Sequence, residues 1–156
     1  MHRVQAGEPD ASGWMLAEST EGAFSVRMPI KFNDFSVGEA DPKEPALRTH
    51  TVGAKSQEGI KFQATRIVYR KGAQSAQQYF AGFEKGTPGQ QVTPRKVGGR
   101  RAVDVAAGSA AAVFYQRVVL LESDLLLMSI EAPRAHEALV RDFIAPFFDS
   151  LVVGKN

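Results

Sequence analysis

The stretch Gly22–Pro29, GAFSVRMP, decides how this chain is read. Phe24, Val26 and Met28 alternate with Ser25 and Arg27, the period of two that sends apolar side chains to one face of a strand and polar ones to the other. Pro29 stops the run, because proline has no N–H to give a continuing ladder. A tryptophan, Trp14, stands eight residues before Gly22.

Working outward, the same period returns twice as hairpins. Leu47 to Lys55 and Ile60 to Tyr69 flank the turn Ser56–Gly59, and Ala112 to Leu121 and Leu125 to Ala132 flank Glu122–Asp124. In the first hairpin Ile60, Phe62, Ala64 and Val68 share a face that Arg66 interrupts. Between them the period changes. In Ser75 to Lys85, Ala76, Tyr79, Phe80 and Phe83 fall on one helical face, with Ser75 as the expected N-cap and Gly86 as the stop. Val92 to Val97 and Arg101 to Ala107 read as strands joined through Gly98-Gly99. The last helix, within Arg134 to Leu151, carries Leu139, Val140, Phe143, Ile144, Phe147 and Phe148 on one face, and Pro146 is expected to end or kink it near Ala145. Lys31 to Pro45 has turn-forming residues and no period, and reads as a surface loop.

Length and composition bound the function classes. The 156 residues suit one domain, read as residues 14–153 behind a flexible polar leader at residues 1–13. Nineteen Lys and Arg against seventeen Asp and Glu leave +2, too little for a general polyanion binder. The absence of cysteine excludes disulfides and thiolate chemistry. Apolar runs such as Val118–Leu121 are far short of the ~20 residues that span a bilayer, so no transmembrane segment is read here, and the leader has no signal-peptide core. Such a leader suits either a cytoplasmic protein or one whose export signal has been removed.

In their order, Trp14 ahead of GAFSVRMP, the Leu47–Tyr69 hairpin, the helix with Tyr79-Phe80, the segment Val97-Gly98-Gly99-Arg100-Arg101-Ala102 and the closing FIAPFFDSL (143–151) resemble the Mog1/PsbP-like fold, and within it the small exported bacterial members of unknown function. The resemblance runs from Trp14 to Val152. It implies an α+β domain, an antiparallel sheet with packed helices in an α/β/α sandwich. GAFSVRMP becomes the second strand of a first hairpin whose other strand is Trp14–Ala17. The better-known relatives, one assisting a nuclear-transport GTPase and the other an extrinsic subunit of photosystem II, act by binding proteins. The resemblance therefore implies a non-enzymatic accessory or binding domain of the periplasm or cell envelope, monomeric or weakly dimeric, with a protein partner and no cofactor.

No catalytic constellation offsets that expectation. There is no G-x-S-x-G elbow, and His2, His50 and His136 are scattered. Neither phosphate-loop pattern occurs at Gly98-Gly99. Paired metal ligands are lacking, although Asp34, Glu39, Asp41 and Glu44 supply oxygen donors in the proline-containing loop; a metal-ion or small-ligand binder is the alternative reading. One charge feature stands out: Arg95, Lys96, Arg100 and Arg101, four cations in seven residues around a Gly-Gly turn. They read either as a binding patch for a partner or anion, or as solvated residues that guard a sheet edge. No exposed aromatics interleave with Arg100-Arg101, so nucleic acid is not the expected partner.

Overall fold

The computed structural model describes residues 4–6, 11, 13–19, 22–29 and 46–154. The expected loop Lys31 to Pro45, with its acidic residues, lies outside the described residues, as does most of the leader.

Two antiparallel sheets form. β1 (Val4–Ala6), β2 (Trp14–Ser19), β3 (Phe24–Pro29) and β10 (Val152–Val153) make a four-stranded sheet in the order β1-β2-β3-β10. β4 (Ala46–Lys55), β5 (Lys61–Tyr69), β6 (Gln91–Val97), β7 (Arg100–Gly108), β8 (Ala112–Leu120) and β9 (Asp124–Pro133) make a six-stranded sheet in the order β4-β5-β9-β8-β7-β6. α1 (Ala73–Lys85) covers one face of the larger sheet; α2 (Glu137–Phe148) and the smaller sheet cover the other. The α+β sandwich expected from the sequence is the architecture found. The first hairpin also closes as expected, with Ala17 opposite Val26 and Trp14 opposite Pro29. β1 lies within the stretch read as leader and pairs Val4 with Ser19. Composition does not show it, because an edge strand of three residues needs only backbone groups to pair.

The period-two reading holds where it was drawn. Phe24, Val26 and Met28 are buried in one core with Val52, Phe62, Met128 and Phe147, whereas Ser25 is half-buried and Arg27 exposed. Phe62 meets Phe147 edge-on at 5.1 Å, and Phe143 lies edge-on to Trp14 at 5.9 Å. On the opposite face of the sheet, Ala76 and Phe80 of α1 pack on Val103, Val105, Val118 and Leu125.

Three local expectations change. α1 begins two residues before Ser75, which is buried within its first turn; the N-cap is Gly72, held at φ 56°, a left-handed conformation that glycine adopts without a Cβ clash. Gly86, at φ 68°, ends the helix as expected. Second, α2 runs through Pro146 to Phe148. Proline removes one helical hydrogen bond, but Phe147 and Phe148 are buried immediately beyond it, and Asp149 N–H still donates to the Ala145 carbonyl at 2.9 Å. Third, the docked face of α2 is rotated from the expected one: Val140, Phe147 and Phe148 are buried while Leu139 is 40% exposed.

Tyr69 carries a consequence for stability. Its ring is buried and stacks on Tyr79 at 5.2 Å. Burial first, and the neighbouring Tyr79 second, push its phenol up to about 12, against roughly 10 in an unfolded chain. The folded state therefore holds this proton more tightly. The contribution is fully present below pH 10 and is lost as pH rises from about 10 to about 12. Urea unfolding across that window should show stability falling more steeply with pH in the parent than in Tyr69→Phe. Phe147→Ala should cost about 3 to 5 kcal/mol, whereas Leu139→Ala should stay within about 0.5 kcal/mol in the same measurement.

Candidate functional site

The four cations singled out in the sequence sit on the hairpin β6–β7. Val97 pairs with Arg100 across a two-residue turn in which Gly98 and Gly99 both have positive φ, 58° and 80°. That is the backbone of the hairpin turn whose twist matches the strands, and glycine adopts it without strain. The pleat then divides the cations. Arg95 is opposite Ala102 and Arg100 opposite Val97, on the face that carries α2; Lys96 is opposite Arg101, on the face that carries α1.

They divide by partner as well. Arg95 is ion-paired with Asp104. Arg101 reaches α1, where its Nη2 donates to both Glu84 carboxylate oxygens at 2.8 and 2.7 Å and its guanidinium lies 5.3 Å from the centre of the Phe80 ring. Lys96 and Arg100 are exposed and have no ion-pair partner among the described residues. Arg95 thus ties the two strands of the hairpin together, Arg101 braces it against α1, and the other two cations are available to a ligand.

Beside the turn lies an open cleft of about 980 Å³. Arg100, Arg101, Gln77, Leu121 and Val153 line it, and the buried pair Arg66 and Asp124 lies at its inner end. Arg66 Nε donates to Asp124 Oδ2 at 2.8 Å and Nη1 donates to the Gly22 carbonyl at 3.0 Å. The arginine that interrupts the apolar face of β5 in the sequence is therefore a core residue with its counter-charge across the sheet.

A second arginine missed as structural is Arg117, on β8. Its Nε and Nη2 hold the two Asp104 oxygens at 2.8 and 3.1 Å, Nη1 reaches Asp149 at 3.1 Å, and its guanidinium lies 5.2 Å from the Phe148 ring centre. Burial opposes its charge, but the hydrogen bonds and charges of Asp104 and Asp149 outweigh it and raise its pKa above the ordinary value. A smaller hollow of about 250 Å³ opens between Arg95, Arg117 and Asp149. The sequence signal for both arginines is parity: Arg66 shares the face of Phe62 and Ala64, and Arg117 that of Val113 and Val119.

His50 is buried on β4, His136 lies half-buried beside the start of α2, and His2 falls outside the described residues. Among the described residues no three His, Asp or Glu side chains gather as metal ligands would, and no helix is long and apolar enough to cross a membrane.

No protein-family profile and no curated protein sequence matches the chain. Solved structures do. The cyanobacterial PsbP (CyanoP) of Synechocystis superposes with a TM-score of 0.54 over 96% of this chain and 97% of that one, at 10% identity. The fold is Mog1/PsbP-like. Two further structures align less closely with this Mog1/PsbP-like chain. LpqN of Mycobacterium tuberculosis, described as involved in cell envelope biogenesis, has a TM-score of 0.45 at 15% identity, over 99% of this chain and 85% of that one. A Pseudomonas aeruginosa protein of unknown function has 0.41 at 16%, over 92% and 99%.

Removing one member of a buried ion pair strands the other charge. Asp124→Ala should therefore cost about 3 to 5 kcal/mol in urea unfolding, and the double variant Arg66→Met, Asp124→Leu should be much less destabilised than the sum of its single changes.

Proposed function

We propose that this chain is a non-enzymatic accessory domain of the bacterial cell envelope that binds a protein partner through the tip of the hairpin β6–β7 and the cleft beside it. The observation that carries the reading is the division of the four cations: Arg95 and Arg101 are held by Asp104 and Glu84, while Lys96 and Arg100 stand free at the tip. Arg95 stiffens the hairpin from within, and Arg101 fixes its direction against α1. Free cations gain from a partner's carboxylates without first giving up an internal ion pair. The envelope setting is supported by the resemblance of the sequence to the small exported bacterial members of the Mog1/PsbP-like group.

A second reading, a small-ligand binder, is favoured by one observation, the cleft of about 980 Å³ with apolar Leu121 and Val153 facing Arg100. Its size is at the upper end of ligand pockets. A ligand at 100 times its dissociation constant stabilises a protein by about 2.7 kcal/mol. Thermal shift against metabolites and ions therefore separates the two readings.

Passing a native envelope fraction over the immobilised chain tests the first reading. One partner should be retained at low salt, and its association rate should fall in the double variant Lys96→Ala, Arg100→Ala. That difference should shrink at high ionic strength, because charges at an exposed rim act chiefly on encounter. Retention of nothing selective, or an unchanged association rate at low salt, overturns it.

A further inference from the structure

Two guanidiniums meet in the small hollow beside the end of α2, and their counter-charges are unequal. Arg117 stands on β8 and Arg95 on β6, and Asp104 on β7 between them holds both. Its two oxygens accept from Arg117 at 2.8 and 3.1 Å, and Oδ2 also meets Arg95 Nε. One carboxylate thus answers two cations. The remaining positive charge is left to Asp149, which accepts from Arg117 Nη1 at 3.1 Å and is not ion-paired with Arg95 among the described residues.

Asp149 is the weaker of the two counter-charges. Its side chain is 69% exposed, against 8% for Arg117, and an ion pair with so much water at one end is worth little. It is also the C-cap of α2, and the carbonyl end of a helix favours cations over carboxylates. Nor does the docking of α2 hang on it. Phe147 and Phe148 are buried just before it, and Ser150 just after it ties the helix end to the Arg27 N–H of β3.

We propose that Asp149 is a placeholder, and that the hollow of about 250 Å³ between Arg95, Arg117 and Asp149 binds the carboxylate of an apolar ligand in its stead. A buried arginine must stay paired, and exchanging one carboxylate for another keeps Arg117 paired throughout. An incoming carboxylate set between the two arginines would meet Arg117 Nη1 and Arg95 together, where Asp149 meets only the first. Val97 and Leu151, both half-buried, line the same hollow and offer an apolar wall to the rest of the ligand. The volume is below the ~300 Å³ of pockets that enclose a whole drug-sized ligand, so the hollow takes one acid group on a small apolar body. Its arginines are those held within the sheet and hairpin, so the site stands or falls apart from partner docking at the hairpin tip.

Hydrocinnamate, a carboxylate on a short phenylalkyl body, and its neutral amide are the probes. Each is titrated into the isotope-labelled chain at neutral pH while the Nε–Hε resonances of Arg95 and Arg117 are followed by NMR. Hydrocinnamate should shift both resonances saturably at millimolar concentration, and the amide neither. Asp149→Asn, which removes the competing charge, should tighten binding about fivefold, and Arg95→Gln should weaken it by a similar factor while Arg117 keeps both aspartates. A short peptide ending in phenylalanine with a free C-terminus separates the sources. Tighter binding than hydrocinnamate assigns the natural carboxylate to a partner's chain end, weaker binding assigns it to a small free acid, and either bears the site out. Equal shifts with the amide, no saturable shift, or an unchanged or weaker affinity in Asp149→Asn overturns the proposal.

Discussion

The structure depends on the charge pair between Arg66 and Asp124, and on the carbonyl of Gly22 that completes it. Arg66 belongs to β5, Asp124 to β9 and Gly22 to the turn between β2 and β3, so one guanidinium fastens two strands of the large sheet to the small one. The side chains are 8% and 6% exposed. Their separation from water costs several kcal/mol per ion, and the attraction offsets this only while the geometry is kept. The pair therefore adds little net stability but penalises any other placement of the turn. The turn is shaped for it: a Cβ on Gly22 would come within 2.6 to 2.9 Å of Ser19, His50 and Phe24. The backbone there can approach the sheet only because that residue has no side chain.

A second guanidinium works the same way further along the sheet. Arg117 holds Asp104 within the sheet and Asp149 at the end of α2. Nearby, Ser150 Oγ donates to the Phe147 carbonyl at 2.6 Å and accepts the Arg27 N–H of β3 at 2.8 Å. Helix, large sheet and small sheet thus meet at one junction. Apolar burial supplies the driving force, through Phe62, Phe147 and Met128 on one side and Phe80 and Leu125 on the other, but it is non-directional. The two arginines supply the direction.

The same economy governs the surface. Arg95 and Arg101 are consumed in holding the hairpin β6–β7, which leaves Lys96 and Arg100 without an internal ion pair near its turn, Arg100 on the rim of the cleft. A cluster that looks uniform as a run of residues becomes, once pleated, two faces with two roles.

Alternation was legible in the residues themselves. GAFSVRMP, the two long hairpins and the helical spacing of Ala76, Phe80 and Phe83 follow from backbone periods of two and 3.6, which are local geometry and so appear in local sequence. The order of these elements was enough to indicate the fold. Tertiary structure decided the rest. The three-residue strand β1 joins the sheet by pairing with β2, Ser75 gave way to Gly72 as N-cap, and α2 passed Pro146 because two buried phenylalanines hold its end. The site was least legible of all. Arg66 and Asp124 are 58 residues apart, and Arg117 and Asp149 are 32 apart. No local rule couples charges at such distances, so a lone arginine on an apolar face reads as an interruption until the fold brings its carboxylate across the sheet.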